Sequence, residues 1–122
     1  MSVSYFVRYD VTGVDAESFV ERYRELHVPL LARWPGMRRV VLHTPLDWHD
    51  PFAVNRGKTV LLAQLEFESL ESMEAAFASP ARAAAREDFK QFPPYEGSVV
   101  HQAMAQEEVF RAPWIDGNEE GA

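Results

Sequence analysis

Several residue types and patterns are absent or scarce in this chain of 122 residues, and each absence excludes a class of function. There is no cysteine, which excludes disulfide bonds, thiolate catalysis and zinc–thiolate sites. Basic residues are few: 12 Lys and Arg stand against 19 Asp and Glu, and the net charge of −7 disfavours binding to nucleic-acid phosphates. No apolar run approaches the roughly 20 residues that span a bilayer. The sequence therefore predicts a protein without nucleic-acid or membrane partners.

Motifs for several common chemistries are also lacking. The chain contains no GxSxG, no glycine-rich phosphate loop, no GxGxxG and no HExxH. The N-terminus, MSVSYFVRYDV, alternates between apolar and polar residues and does not resemble a secretory signal. We therefore expect a cytoplasmic protein whose chemistry uses ordinary side chains.

The sequence does contain consecutive segments in which apolar residues recur at the spacing of a strand or of a helix. These segments predict the order β-α-β-β-α-β. Pro80 divides the second helical region, and Pro93-Pro94 ends it. The predicted strands are residues 3–11, 36–44, 59–68 and 97–110, and the predicted helices are residues 15–34, 69–78 and 81–92. We expect one domain over residues 1–110 and a polar tail over residues 111–122, in which Trp114 and Ile115 could anchor the tail to another surface.

This order of elements is typical of an α+β, ferredoxin-like fold, with a four-stranded antiparallel sheet and both helices on one face. The third strand carries apolar residues on both faces, since Val60 and Leu62 alternate with Leu61 and Leu65. An apolar sheet face that no helix covers indicates an interaction surface. We therefore predict a homodimer whose sheets pack face to face, with a cavity between sheet and helices in each subunit.

His27 is the first candidate for chemistry. At about 100° per residue, it lies roughly 40° from the centre of the apolar stripe of the first helix. Its unperturbed pKa of about 6.5 allows it to accept and donate a proton near neutral pH, although a packed histidine with one satisfied nitrogen is the alternative. Pro29 predicts a kink just after it. The stripe consists of Phe19, Tyr23, Leu26, Leu30 and Trp34.

Several stretches of the chain resemble a known family. HVPLLARWPG, followed by a strand that begins RR and ends in His43, resembles the ethyl-tert-butyl-ether-degradation (EthD) type of dimeric α+β barrel. The stretches LHTPLDWHDP and FPPYEGSVVHQAMAQEEVF are similar to the RedY-like proteins of prodiginine and indole or pyrrole alkaloid pathways. The resemblance implies a dimeric barrel with one small-molecule pocket per subunit. It also implies a tailoring role on a small heteroaromatic substrate, with no metal or organic cofactor.

The catalytic hypothesis assigns acid and base roles to His27 and His101, which can cooperate if both face one pocket. The alternative for His101 is a hydrogen bond at the dimer interface. His43 ends a strand and could equally be exposed. Asp47, His49 and Asp50 are too weak a set to predict a metal site. The predicted substrate-binding residues are Tyr5, Tyr9, Trp34, His43, Trp48, Phe89 and Tyr95, with Trp48 considered as a lid.

The candidate residues, taken with what the resemblance implies, leave three functions open. The first is a cofactor-independent enzyme that closes a ring or removes water from a pyrrole- or indole-type intermediate. The second is a cofactor-less monooxygenase of the same fold, which would stop without oxygen. The third is a non-catalytic protein that binds and shelters a reactive intermediate.

Overall fold

The computed structural model describes residues 1–112, and the predicted order of strands and helices is confirmed there. Residues 113–122, which include Trp114, Ile115 and most of the predicted tail, lie outside the described residues. The strands are β1 (Val3–Thr12), β2 (Met37–His43), β3 (Leu61–Phe67) and β4 (Glu96–Ala105). The helices are α1 (Ala16–Arg22), α2 (Val28–Leu31), α3 (Leu70–Phe77) and α4 (Pro80–Phe89), and a π-helical turn (Tyr23–His27) joins α1 to α2. Within residues 1–112, no helix has the length and apolar character needed to cross a membrane.

The sheet is antiparallel throughout, with the strand order β2-β3-β1-β4, as the ferredoxin-like prediction requires. Burial alternates along the two central strands: odd-numbered residues of β1 and β3 are buried, and even-numbered residues are mostly half-buried. The odd-numbered side chains form one core with helix residues such as Phe19, Met73 and Ala85. The helices therefore cover one face of the sheet, and we call the other the outer face.

The register decides which face each strand histidine occupies. His101 lies opposite Val7 in the β1–β4 ladder, and Val7 is buried on the helix side. His43 lies opposite Leu62, whose side chain points to the outer face. Because directly paired residues of antiparallel strands project to the same face, the two histidines lie on opposite sides of the sheet.

The first helix differs from its prediction in length and in regularity. It was predicted to run to Trp34, but α2 ends at Leu31, and the segment before it is π-helical because the N–H of Val28 bonds the carbonyl of Tyr23. Pro29 explains the irregularity, since it cannot donate to the carbonyl four residues back and its ring collides with that carbonyl.

The π-helical turn also changes which residues face the core. Leu26 was predicted to lie on the buried stripe, but it is 55% exposed. His27 and Leu31 are buried in its place, with 4% and 3% exposure. The wider turn moves the inward face along by one residue, so that His27 is buried beside Phe89 and Phe92.

β4 is shorter than the predicted strand of residues 97–110. It ends at Ala105, which pairs with Val3, the first residue of β1. Beyond that point β1 offers no partner strand. One further backbone bond joins the N–H of Gln106 to the carbonyl of Ser2, and the chain then leaves the sheet.

Candidate active site

A small cavity of about 30 Å³ lies between the helices and the helix-side face of the sheet. Its wall combines aromatic and aliphatic side chains with two histidines and two arginines. The lining includes Tyr5, Val7, Tyr9, Tyr23, His27, Leu31, Trp34, Leu65, Arg82, Ala85, Arg86, Phe89 and His101. The chamber is therefore mostly apolar, and its few polar groups converge on it, as in small-molecule sites.

His27 is fixed in this wall by a hydrogen bond to the carboxylate of Asp88, which lies on another helix. Its Nδ1 lies 2.8 Å from Oδ2 of Asp88 in α4. The Asp88 carboxylate also accepts from both terminal nitrogens of Arg22, at 3.1 and 3.2 Å. The fork of Arg22 holds the carboxylate, and the carboxylate orients the imidazole.

Burial and the neighbouring charge of Asp88 have opposite effects on the pKa of His27. Burial lowers the pKa of His27 below its usual range, and the hydrogen bond and charge of Asp88 only partly oppose that effect. The hydrogen bonds from Arg22 hold the pKa of Asp88 below its usual range. At neutral pH the pair is therefore a neutral imidazole beside a carboxylate.

His101 is held by a different partner. Its Nδ1 lies 2.5 Å from the hydroxyl oxygen of Tyr5, and that oxygen also accepts from Nη2 of Arg82 at 3.4 Å. Partial burial lowers the pKa of His101, and the positive charges of Arg86 and Arg82 lower it further. His101 is thus also neutral at neutral pH.

The two partners favour opposite tautomers. A carboxylate only accepts, so His27 places its proton on Nδ1 and leaves the lone pair of Nε2 free. A phenol O–H is a stronger donor than the N–H of a neutral imidazole, and the Tyr5 oxygen also accepts from Arg82, so the Tyr5 proton is directed to Nδ1 of His101 and the His101 proton lies on Nε2. One histidine is therefore arranged as a base and the other as a hydrogen-bond donor. Both rings contact Phe89, with centroid separations of 6.1 and 6.2 Å.

The cavity shares part of its wall with a larger surface groove. Arg86, Phe89 and His101 line both the cavity and a groove of about 420 Å³, to which Tyr95 and Val99 also contribute. We call this the outer groove. Of the predicted binding residues, Tyr5, Tyr9, Trp34 and Phe89 line the cavity, and Tyr95 lies in the outer groove.

Two predicted binding residues do not reach this site. His43 and Trp48 line a separate groove of about 450 Å³ that also includes Arg8 and Leu62. The reason is the strand register, which directs His43 to the outer face, where its Nε2 lies 3.1 Å from Oε1 of Gln64. Trp48 stacks under the guanidinium of Arg56, 3.9 Å from the ring centre, so it is not a lid over the cavity.

The loop acids do not form a metal site. Asp50 accepts from the backbone N–H of Phe52 at 2.9 Å, which makes it a turn residue. Across residues 1–112, no three His, Asp or Glu side chains are grouped as a metal ion would require.

Sequence reasoning missed Arg22, Asp88 and Arg82. Asp88 lies 61 positions from His27, on a helix rich in alanine and charged residues, and nothing local distinguishes it from a solvated acid. The sequence did hold one indication of Asp88. A buried histidine needs a polar partner. The helix that packs beside the first one contains few acidic residues, and one of them, Asp88, is adjacent to Phe89.

The sequence of the chain matches one protein family over most of its length. The model of the EthD domain matches residues 12–93, which is more than half of the chain. The chain belongs to the EthD domain family. No match is found among curated proteins.

Solved structures similar to this EthD-domain protein share its fold at low sequence identity. An EthD family protein from Bacillus halodurans is 20% identical, with a TM-score of 0.70, over 88% of this chain and 100% of the other. A hydroxynitrile lyase from Passiflora edulis is 16% identical, with a TM-score of 0.66, over 90% and 97%. SnoaB, a cofactor-independent oxygenase from Streptomyces nogalater, in its N63A mutant form, is 15% identical, with a TM-score of 0.61, over 91% and 98%. These likenesses show a common fold, and the reaction has to be argued from the site.

Proposed function

We propose that this protein is a cofactor-independent tailoring enzyme of secondary metabolism. In this proposal it promotes ring closure or loss of water in a small pyrrole- or indole-type intermediate. The observation that carries the proposal is the pair of neutral histidines, His27 and His101, whose partners favour opposite tautomers on one cavity. The resemblance of the LHTPLDWHDP and FPPYEGSVVHQAMAQEEVF stretches to RedY-like proteins supports the substrate class.

The volumes of the cavity and of the outer groove indicate which part of the substrate each of them would hold. A dry cavity that binds benzene measures about 150 Å³, so a heteroaromatic ring does not fit in 30 Å³. The outer groove is large enough, and Phe89 and Tyr95 offer it aromatic surfaces. The ring would lie there, and its reacting substituent would face His27 and His101 beside Phe89, where the groove and the cavity share their wall.

The chemistry needs only proton transfers. Nε2 of His27 removes a proton from the carbon or nitrogen that supplies the electron pair for the new bond. His101 donates its Nε2 proton to the oxygen that becomes a hydroxyl or leaves as water, while its Nδ1 takes the proton of the Tyr5 hydroxyl, whose oxygen then lies beside the Arg82 guanidinium. The imidazolium formed at His27 is stabilised by the Asp88 carboxylate beside Nδ1. Solvent then carries a proton from His27 to Nε2 of His101, and Nδ1 of His101 returns its proton to Tyr5, so the protein returns to its starting state.

The test uses pyrrole and indole alcohols or amino ketones that can lose water or cyclise, and mass spectrometry measures the product. We expect His27→Ala and His101→Ala each to lower kcat by about 10²-fold or more. His49→Ala, in the exposed loop away from the cavity, is the matched control and should react like the wild type. Wild-type rates in both cavity variants would contradict the proposal and leave a non-catalytic, sheltering protein as the better account.

A cofactor-less monooxygenase is the second candidate, since the fold is shared with a cofactor-independent oxygenase. In that reaction the substrate anion itself transfers electrons to oxygen, and His27 would serve only to form the anion. The same assay under anaerobic conditions separates the two functions. Product formation that continues without oxygen supports the cyclase or dehydratase, whereas product formation that stops supports the oxygenase.

The homodimer is also part of the proposal, and the composition of the outer face supports it. Large apolar side chains such as Phe6, Leu62, Val100 and Met104 lie there among polar residues. Val100 is 37% exposed and Met104 is 51% exposed. A second copy packed against this face would remove them from water.

A further inference from the structure

Two buried nitrogen donors in the cavity wall have no hydrogen-bond partner within residues 1–112. They are Nε1 of Trp34 and Nε of Arg82. Trp34 is only 5% exposed, and both residues line the cavity. Leaving a buried donor unpaired is costly, and each such donor in a native protein needs an explanation.

The two donors belong to one compact group at the end of the cavity formed by Tyr5. The guanidinium carbon of Arg82 lies 5.9 Å from the Trp34 ring centre and 4.5 Å from that of Phe77. Arg82 also donates to the Tyr5 hydroxyl at 3.4 Å, and the Tyr5 and Trp34 ring centres are 6.4 Å apart. Aromatic faces therefore hold the guanidinium in place while its Nε–H remains free.

The charge of the cavity wall is positive, in contrast to the net charge of the chain. Arg82 and Arg86 both line the cavity, and Asp88 is already neutralised by Arg22. A volume of about 30 Å³ holds roughly two water molecules, which is also the room that the two oxygens of a carboxylate need. An anionic oxygen group therefore matches the size, the charge and the free donors.

We propose that the substrate carries a carboxylate, and that this group binds in the cavity between Nε1 of Trp34 and Nε of Arg82. This inference rests on the proposed function and adds the anchoring group of its substrate. The carboxylate would fix the deep end of the molecule, and the heteroaromatic ring would extend past His101 into the outer groove. Trp34 and Arg82 are binding residues in this account, while His27 and His101 remain the acid–base pair.

A binding measurement tests the proposal without any need for turnover. The probes are formate, pyrrole-2-carboxylate and the neutral pyrrole-2-carboxamide, each titrated into the full-length protein. The readout is the ¹H–¹⁵N spectrum of the Trp34 Nε1–H and Arg82 Nε–H groups, whose signals are assigned from Trp34→Phe and Arg82→Gln. We expect both signals to move downfield with the two carboxylates, because charged acceptors form stronger hydrogen bonds, and to move little with the amide.

Substitutions of Arg82 should weaken the affinity of the protein for pyrrole-2-carboxylate. Arg82→Gln should weaken the binding of pyrrole-2-carboxylate by about tenfold or more, and should remove the preference for the carboxylate over the amide. Arg82→Lys keeps the charge but loses the planar Nε–H, so it should recover only part of the affinity. Arg24→Gln removes a charge from an exposed position outside the cavity and should leave the affinity unchanged.

Signals that stay in place with both carboxylates would overturn the inference, and water alone would then satisfy the two donors. Equal shifts with the amide would also overturn it, since the site would then accept any oxygen. If carboxylates fail to bind while His27-dependent turnover is observed, the proposed function stands and only the anchor is wrong. If formate binds but neither pyrrole does, the anion site stands and the heteroaromatic substrate class fails.

Discussion

The imidazole of His27 is subject to two opposing effects, and their balance decides what it can do. Burial disfavours its charged form, whereas Asp88 favours it, and burial is the larger effect on the pKa. The group is therefore neutral at the pH at which a base is needed. The Asp88 carboxylate keeps the proton on Nδ1 and is in place to stabilise the imidazolium once it forms.

Asp88→Asn should change both the rate and its dependence on pH. The carboxylate raises the pKa of His27, so its removal should lower that pKa further and move the acidic limb of kcat/KM to lower pH. We expect kcat to fall by about 10²-fold, because the imidazolium loses its neighbouring charge. The pKa of His27 can be measured directly from its ¹⁵N shifts, with Asp47→Asn in the loop as the control. A limb that moves to higher pH would contradict the assignment of Asp88.

His27 should also make the stability of the protein depend on pH. Its pKa is about 6.5 in the unfolded chain and lower in the fold, so between these values the unfolded chain binds more protons. The free energy of unfolding should therefore fall as the pH decreases below about 6.5. The lowered pKa of Asp88 has its effect only below about 3.8 and does not contribute in this range.

His27→Gln should reduce that fall. Urea denaturation at about pH 7.5 and about pH 5 gives, for the wild type and for the variant, the change in the free energy of unfolding between the two pH values. His101 also has a lowered pKa and remains in both proteins, so part of the fall should persist in the variant. An equal fall in the two proteins would mean that His27 does not bind its proton more weakly in the folded state.

At the scale of elements, the regular parts of the fold follow from the sequence, and the departures have local causes. Period-two alternation located the strands because one face of β1 and β3 is buried. The prediction that Leu26 is buried was wrong because it assumed a regular α-helix, whereas the π-helical turn before Pro29 shifts the buried face by one residue. The end of β4 depends on where its partner strand begins, and that is a property of the sheet rather than of residues 97–110.

Gly97 should be the residue of β4 at which substitution is tolerated least. Its φ of +100° is unfavourable for other residues, and a Cβ would lie 2.2 Å from the carbonyl oxygen of Asp10. Gly97→Ala should therefore destabilise the protein by about 2 kcal/mol or more, because β4 must move away from β1. Gly57→Ala is the matched control, since nothing lies within 4 Å of its added Cβ, and it should change stability by less than about 0.5 kcal/mol. Thermal unfolding measures both, and a similar change in the two variants would contradict the argument.

At the scale of the whole molecule, the candidate site depends on contacts between residues far apart in sequence. His27 was identified from the sequence because it is an inward-facing titratable residue on an apolar helix. Its partner Asp88 and the Tyr5–His101 contact span 61 and 96 positions, and they depend on how α4 and β4 are placed against β1. Strand order and helix packing set these contacts, and a single sequence does not determine side-chain partners at that distance.

The outer face should determine the oligomeric state. If two copies pack their sheets together, Val100 lies on the buried surface, where an added charge would lose its water. We expect the wild type to sediment as a dimer and Val100→Glu as a monomer, because two added carboxylates would lose water without gaining partners. Leu26→Glu adds the same charge at a residue that is 55% exposed on the helix side, so it should remain dimeric. Analytical ultracentrifugation measures all three proteins, and a Val100→Glu protein that stays dimeric would show that the copies associate through another surface.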